Sequence, residues 1–278
     1  MSLQTTMPAV TDDEVISSLN QLVKEKSGIV LTDTNLSVLH NKIHSRIASL
    51  KIKDASDYIR LLQDTRSGEM NFLLNASTIN FTSFMREKDH FHILTDNILP
   101  EILQKNASSK KIRIWSSACS SGEEAYTLAI VLKEALEATP GWDIKIIATD
   151  LDTDVLSSAD KGIYFKKKIE TFNPIRQQKW FEPVAGEPEQ VRIKKDIRDI
   201  VEFRQLNLVD NWRLPEKIDL IFCRNVLIYF DTETRKKLIG RFVDQLSHHG
   251  WLVVSRTESI VGVNDSLVSY GNSVYQLK

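Results

Sequence analysis

From Lys110 onward, short apolar runs alternate with segments of helical spacing, and this alternation restricts the fold more than any other feature. Lys111–Trp115 reads as a strand, Ser116–Gly122 as a loop, and Glu123 to about Ala138 as a helix. Ile144–Ala148 reads as a second strand running into Thr149 and Asp150, with a helix starting near Thr153. Ile218–Cys223 is a further strand, Thr232–Ser247 a helix and Trp251–Ser255 a strand, with Val274–Leu277 expected as a final edge strand. Strands alternating with helices imply an α/β fold, a mostly parallel, doubly wound sheet. Such sheets bind ligands beyond the carboxyl ends of their strands. That rule singles out Ser116–Glu124, Asp150, Arg224-Asn225 and the segment after Ser255, far apart in sequence but expected to converge in space.

The preceding hundred residues carry helical signals and no β-alternation. Thr11-Asp12-Asp13-Glu14 is a helix start, with acids where the helix dipole favours them. Val15, Ile16, Leu19, Leu22 and Val23 follow at helical spacing, and Gly28 ends the helix. A second helix is expected from about Asn35 to Leu50, with Leu36, Leu39, Ile43, Ile47 and Leu50 as its core face. Asp54–Leu62 and Gly68–Asn75 read as two short helices, and a long one runs from about Glu87 to Gln104, interrupted near Pro100. The expected organisation is an N-terminal helical domain over residues 1–86 and an α/β domain over residues 87–278. Lys42, Arg46 and Lys53 align as a basic stripe, which is either an ordinary solvated face or a docking surface for an acidic partner helix.

The loop WSSACSSGEEAY has small residues that admit a ligand close to the backbone, but it lacks the GxGxxG dinucleotide fingerprint. Glu123 and Glu124 at the helix start repel a pyrophosphate and suit an ammonium or sulfonium, although dipole capping alone accounts for at least one of them. Asp150, at the end of the second strand, stands where an acid normally accepts hydrogen bonds from ribose hydroxyls, while Asp152 or Asp154 caps the next helix. Together these features favour S-adenosylmethionine over a nicotinamide dinucleotide. The chain has 36 basic and 37 acidic residues, a net charge of −1, which argues against a protein built to coat nucleic acid. Cys119 and Cys223 have no CxxC partner and the six histidines do not cluster with them, so no metal site is expected. No signal peptide and no apolar stretch of membrane-spanning length is visible, and a cytoplasmic protein without membrane insertion is expected.

The segments IWSSACSSGEEAYTLA, ATDLDTDVL, VEFRQLNL and IFCRNVLIYFD resemble the CheR-type chemotaxis receptor methyltransferases. So does Asn75–Arg86, NASTINFTSFMR, at the domain junction. The resemblance implies methyl transfer from S-adenosylmethionine to glutamate side chains of chemoreceptors, leaving S-adenosylhomocysteine and a glutamyl methyl ester. It implies that Asn80, Thr82 and Arg86 lie on a junction loop over the donor. It further implies that Glu124, in preference to Glu123, holds the methionine ammonium and Asp150 the ribose. Asn207 and Leu208 then contact the adenine side, Arg224 and Asn225 line the pocket, and Arg86 and Tyr229 stand nearest the reacting carboxylate. From the residues alone, Tyr229 in the apolar run VLIYF reads as a core aromatic. The family's Thr-Thr-Asn is Thr78-Ile79-Asn80 here, its Phe-Phe-Arg is Phe84-Met85-Arg86, and its Gly-His-Ser-Glu is Ser255-Arg256-Thr257-Glu258.

The resemblance also implies receptor methylation helices as partners, approached through the stripe of Lys42, Arg46 and Lys53. It implies an inserted antiparallel β subdomain over about 162–202, which either docks on the receptor or only covers the pocket. Within it Asn173–Phe181 is expected as a helix, with Gln190–Lys195 and Asp199–Gln205 as paired strands. A glutamate carboxyl ordinarily titrates at about pH 4.3 and is already ionised at neutral pH, so the transfer requires no general base. A donor-binding regulatory module, a nucleic-acid methyltransferase and a nicotinamide oxidoreductase are the competing classes. Arg86 and Tyr229, the absence of an Asp/Asn-Pro-Pro-Tyr/Phe motif, and the missing glycine fingerprint argue against them in turn.

Overall fold

The computed structural model describes residues 12–53 and 55–278. Thr11 and Asp54, read above as helix starts, lie outside the described residues. The chain forms two compact units that divide between Thr78 and Ile79.

Among the described residues the first unit carries four helices: α1 (Asp12–Ser27), α2 (Asp33–Ser49), α3 (Ala55–Gln63) and α4 (Glu69–Ser77). Leu19 and Val23 of α1, Leu39 and Ile43 of α2, Tyr58 and Leu62 of α3, and Leu73 of α4 are buried. Gly28, at φ +72°, ends α1 in a conformation that side chains resist. Thr32 caps α2 by accepting from the Asn35 N–H.

The basic stripe takes a different form from the one expected. α2 ends at Ser49, so Lys53 is not on it. Lys42 donates to the Ala76 carbonyl at 2.9 Å. Arg46 forks onto the buried Glu69 with bonds of 3.0 and 2.6 Å, and the Tyr58 hydroxyl donates to the same carboxylate at 3.2 Å. A buried acid captures the cation that periodicity alone assigns to solvent. Leu50, expected in the core face, is exposed.

The second unit opens with α5 (Asp89–Ile93), a π-helical turn at Leu94–Ile98, and α6 (Leu99–Lys105). The expected break at Pro100 is therefore a widened turn just before the proline. The turn leaves room for a ring that cannot donate an N–H, and the helix continues. Next come β1 (Lys111–Ser116), α7 (Glu123–Ala135), β2 (Asp143–Asp150), α8 (Thr153–Lys161), β3 (Ile163–Phe165), α9 (Pro174–Trp180), β4 (Phe181–Val184), β5 (Glu187–Ile193), α10 (Lys195–Arg198) and β6 (Val201–Gln205). The chain continues through β7 (Ile218–Cys223), α11 (Thr232–Gln245), β8 (Leu246–Val254), β9 (Leu267–Gly271) and β10 (Val274–Leu277).

Seven strands form one sheet in the order β6-β2-β1-β7-β8-β10-β9, parallel from β6 to β8 and antiparallel thereafter. The order reverses between β1 and β7, which makes that crevice the switch point where such sheets bind ligands. Two expectations are corrected here. Val274–Leu277 is not an edge strand, since it lies between β8 and β9. The strand over 201–205 does not pair with its neighbour over 187–193; it joins the main sheet parallel to β2, pairing Asp150 with Gln205. The inserted sheet is instead β3-β5-β4, antiparallel throughout.

Residues 79–86 belong to the second unit, ahead of the boundary expected at residue 86. Phe84 is buried against Tyr164, Phe172 and Phe181, and the Met85 N–H donates to Thr127. An aromatic anchor of this size fixes the segment to the sheet unit.

Candidate functional site

Parallel register brings Ser116, Asp150, Gln205, Cys223 and Val254 to one end of the sheet. The loop after β1 turns through Ser120 (φ +49°) and Gly122 (φ +91°) into α7. A Cβ at Gly122 would stand 2.9 Å from the Ala159 Cβ and 3.0 Å from the Tyr164 hydroxyl, so the turn accepts no side chain.

At the switch point, Glu124 from α7 and Arg224 from the end of β7 form a buried ion pair, Nε to Oε2 at 2.7 Å. The Ser116 hydroxyl donates to the other Glu124 oxygen at 2.6 Å. Arg224 lies over the rings of Phe91 and Phe222, and its Nη1 donates to the Arg86 carbonyl at 2.8 Å. Glu123 is committed elsewhere. Fully buried, it takes Lys168 at 2.5 Å and the Ser121 hydroxyl at 2.6 Å, tying α7 to the inserted segment. Adjacent acids on a helix point about 100° apart, so one reaches the strand ends and the other does not.

Asp150 is buried at the end of β2. One of its oxygens accepts from the Ser120 N–H at 2.7 Å and the other from the Asp152 N–H at 3.0 Å. Burial raises its pKa to about 6 against those two bonds. Asp152 caps α8, as expected from sequence, and also accepts from Asn80 Nδ2 at 2.6 Å. The Asn80 carbonyl accepts from the Ser120 hydroxyl at 3.0 Å. Asn80 thus bridges the loops after β1 and β2, with the half-buried Thr82 two residues on. Asn207 and the buried Leu208 follow β6, and the Leu206 N–H donates to the Asp150 carbonyl, which sets them beside β2. Leu208 is braced through its carbonyl by Trp212 and Arg241.

Asn225, at φ +59°, donates from Nδ2 to the Ser255 hydroxyl at 2.8 Å, and its N–H donates to Glu258 at 2.9 Å. Glu258 also accepts the N–H groups of Ser255 and Ile228; burial still raises its pKa above the usual carboxylate value. The departure Ser255–Glu258 therefore forms an ordered support under Asn225. Tyr229 sits in the short 3-10 turn Leu227–Tyr229, half-buried. Burial raises its phenol pKa, and the positive charge of Arg86 opposes the rise. Arg86 donates to the Phe81 carbonyl at 2.7 Å, and the Phe81 ring is exposed.

Sequence reasoning missed Glu87 and His90. Glu87 accepts from the Ser255 hydroxyl at 2.8 Å. Burial pushes its pKa up, but Ser255, Arg224 and Asn225 outweigh burial and hold it below the ordinary range. His90 is fully buried with its Nδ1 3.2 Å from Arg224 Nη1. Its place four residues after Arg86 in the sequence is the signal that could have flagged it.

A family model described as the CheR methyltransferase SAM-binding domain matches residues 80–275, and one described as the CheR methyltransferase all-alpha domain matches residues 14–78. The chain belongs to the CheR methyltransferase family. Similar relatives are a chemotaxis protein methyltransferase of Escherichia coli K12, 34% identical over 99% of this chain and 94% of its own, and one of Klebsiella aerogenes, 36% identical over 93% and 88%. Another, from Borreliella burgdorferi, is 35% identical over 91% and 90%. S-adenosylmethionine is the cofactor of this CheR-family chain, and the donor set fits it. A buried carboxylate at the switch point suits a cationic end, and a second at the end of the neighbouring strand has lone pairs left for a diol. No described helix is long and apolar enough to cross a membrane, and no group of three or more described His, Cys, Asp or Glu residues could hold a metal ion.

Proposed function

We propose that this CheR-family methyltransferase acts in chemotaxis, moving a methyl group from S-adenosylmethionine to glutamate side chains of chemotaxis receptors as glutamyl methyl esters. The observation that carries this reading is the buried Glu124–Arg224 pair at the sheet's switch point, with the Arg86 carbonyl accepting from Arg224 Nη1 beside it. The names of the relatives, chemotaxis protein methyltransferases, support the pathway.

When bound, the donor supplies an electrophilic methyl on a sulfonium with a good leaving group. Glu124 holds its ammonium end and Asp150 its ribose, Asn207 and Leu208 flank the base, and Asn80, Thr82, Arg224 and Asn225 close the pocket. Glu123 takes the second place here: it is bonded to Lys168 and Ser121, whereas Glu124 stands with Arg224 at the end of β7. An ionised glutamate needs alignment and desolvation rather than a base. Arg86 orients the incoming carboxylate with parallel N–H bonds, and Tyr229 fixes one of its oxygens. The catalytic domain is taken as residues 79–278, with the inserted sheet over residues 163–193, and the helical domain as the unit that ends at Thr78. Of the stripe, Lys42, which also donates to the Ala76 carbonyl, and Lys53 are exposed toward an acidic receptor helix; Arg46 is engaged by Glu69.

The test uses methyl-labelled donor with receptor-containing membranes, followed by mild base. Labelled methanol, released with wild type and lost with Arg86→Ala, is the expected result. Label that resists base refutes the ester.

A further inference from the structure

His90 is the one fully buried histidine in the network behind Glu124, and its two ring nitrogens meet different partners. Nε2 lies 2.8 Å from the carbonyl of Asn272, in the turn between β9 and β10. A carbonyl can only accept, so Nε2 carries the proton. Nδ1 is then a bare lone pair. It lies 3.2 Å from Arg224 Nη1, which can only donate. Glu87 Oε2 also faces Nδ1 at 3.3 Å, where a neutral ring offers it no proton. Phe222 meets the ring edge-on, and Phe91 and Phe222 cover the guanidinium.

Arg224 has little freedom left. Nε goes to Glu124, and Nη1 is shared between the Arg86 carbonyl and His90. We infer that His90, as the neutral Nε2–H tautomer, is a positioning residue for donor binding: Nδ1 holds the Arg224 guanidinium in the orientation that presents Glu124 to the donor's ammonium group. Asn272 sets the tautomer, leaving Nδ1 as the acceptor that Arg224 meets. His90 itself touches no substrate. The inference rests on the reading that Glu124 receives the ammonium end.

Two substitutions separate the two nitrogens. His90→Asn keeps an acceptor where Nδ1 stands and loses the donor to Asn272. His90→Gln can reach Asn272 as a donor and loses the acceptor for Arg224. The readout is the affinity of the full chain for S-adenosylhomocysteine by calorimetry, with thermal unfolding run alongside. Loss of one bond from a charged donor predicts at least about tenfold weaker binding for His90→Gln, with His90→Asn within about threefold of wild type. Equal weakening of both variants, weakening of His90→Asn alone, or no weakening of either overturns the inference. Long-range proton–nitrogen spectra of the wild-type chain give a second, mutation-free check: a bare Nδ1 and a protonated Nε2 are expected, and the opposite tautomer overturns it. Glu124→Gln identifies the separate failure. If it binds S-adenosylhomocysteine as tightly as wild type, the assignment of Glu124 is wrong and the inference falls with it; if it binds weakly while His90→Gln does not, only the role of His90 is lost.

Discussion

Asp150 makes a prediction that needs neither donor nor receptor. Its carboxyl is buried, and burial raises its pKa from 3.8 to about 6 despite two backbone N–H bonds. The folded value lies above the unfolded one. Between about pH 4 and pH 6 the folded chain therefore keeps a proton that the unfolded chain has released. Stability falls as pH rises through that window, and the full loss is present above about pH 6. A rise from 3.8 to about 6, at about 1.4 kcal/mol per unit, amounts to about 3 kcal/mol. Asp150→Asn removes this titration. It also loses one acceptor for the Ser120 or Asp152 N–H, a penalty that does not vary with pH. Urea unfolding of the ligand-free wild type and Asp150→Asn, across about pH 4 to 7, isolates the difference. The variant should gain about 3 kcal/mol relative to wild type from the acid end to the neutral end. A difference that stays constant across the window refutes the claim that burial of Asp150 outweighs its backbone hydrogen bonds in the free protein.

Gly122→Ala puts a methyl 2.9 Å from the Ala159 Cβ at φ +91°, so thermal unfolding should show a loss above about 2 kcal/mol, with donor affinity falling too. Arg46→Ala strips the buried Glu69 of its bidentate partner; because the Arg46 side chain is 34% exposed, the loss by urea unfolding should be about 2 kcal/mol, below that of a fully buried pair. Wild-type stability in Arg46→Ala would mean that the residue is a free docking cation. Tyr229→Phe should bind S-adenosylhomocysteine normally and lower kcat about tenfold, the value of one hydrogen bond made as the carboxylate reacts. A changed Kd with unchanged kcat would move Tyr229 to the donor pocket.

Much of the sheet is legible in the sequence because its inner strands are nearly uniform apolar runs between turn signals. Ile218–Cys223 and Val274–Leu277 have the bounds that their apolar runs imply. Their neighbours are harder to read. Leu267–Gly271 is mostly exposed at the sheet edge, so no buried pattern marks it as a strand. Ile163–Phe165 is too short for periodicity to register. Val201–Gln205 reads correctly as extended but with the wrong partner, since pairing with the preceding strand is the local choice and pairing with β2 spans some fifty residues. Arg46 shows the same limit, because periodicity places it on a face without showing that an acid lies buried there. At the site, the loop after β1, Asp150 and Arg224 follow from the rule about strand ends. Separating Glu124 from Glu123 requires the ion pairs, and His90 requires a carbonyl 182 residues away.

That separation bears on how the chain is made. A ribosome adding about 5–20 residues per second takes roughly 10–40 s to pass from His90 to Asn272. For that interval the imidazole lacks the carbonyl that fixes its proton, and for most of it Arg224 has not been translated either. The nascent chain passes its first strands out of the tunnel with Glu124 and Asp150 bound for a low-dielectric interior and the counter-charge for Glu124 still to come. The proton on His90 and the counter-charge for Glu124 are therefore both fixed late in synthesis, by residues that follow most of the sheet.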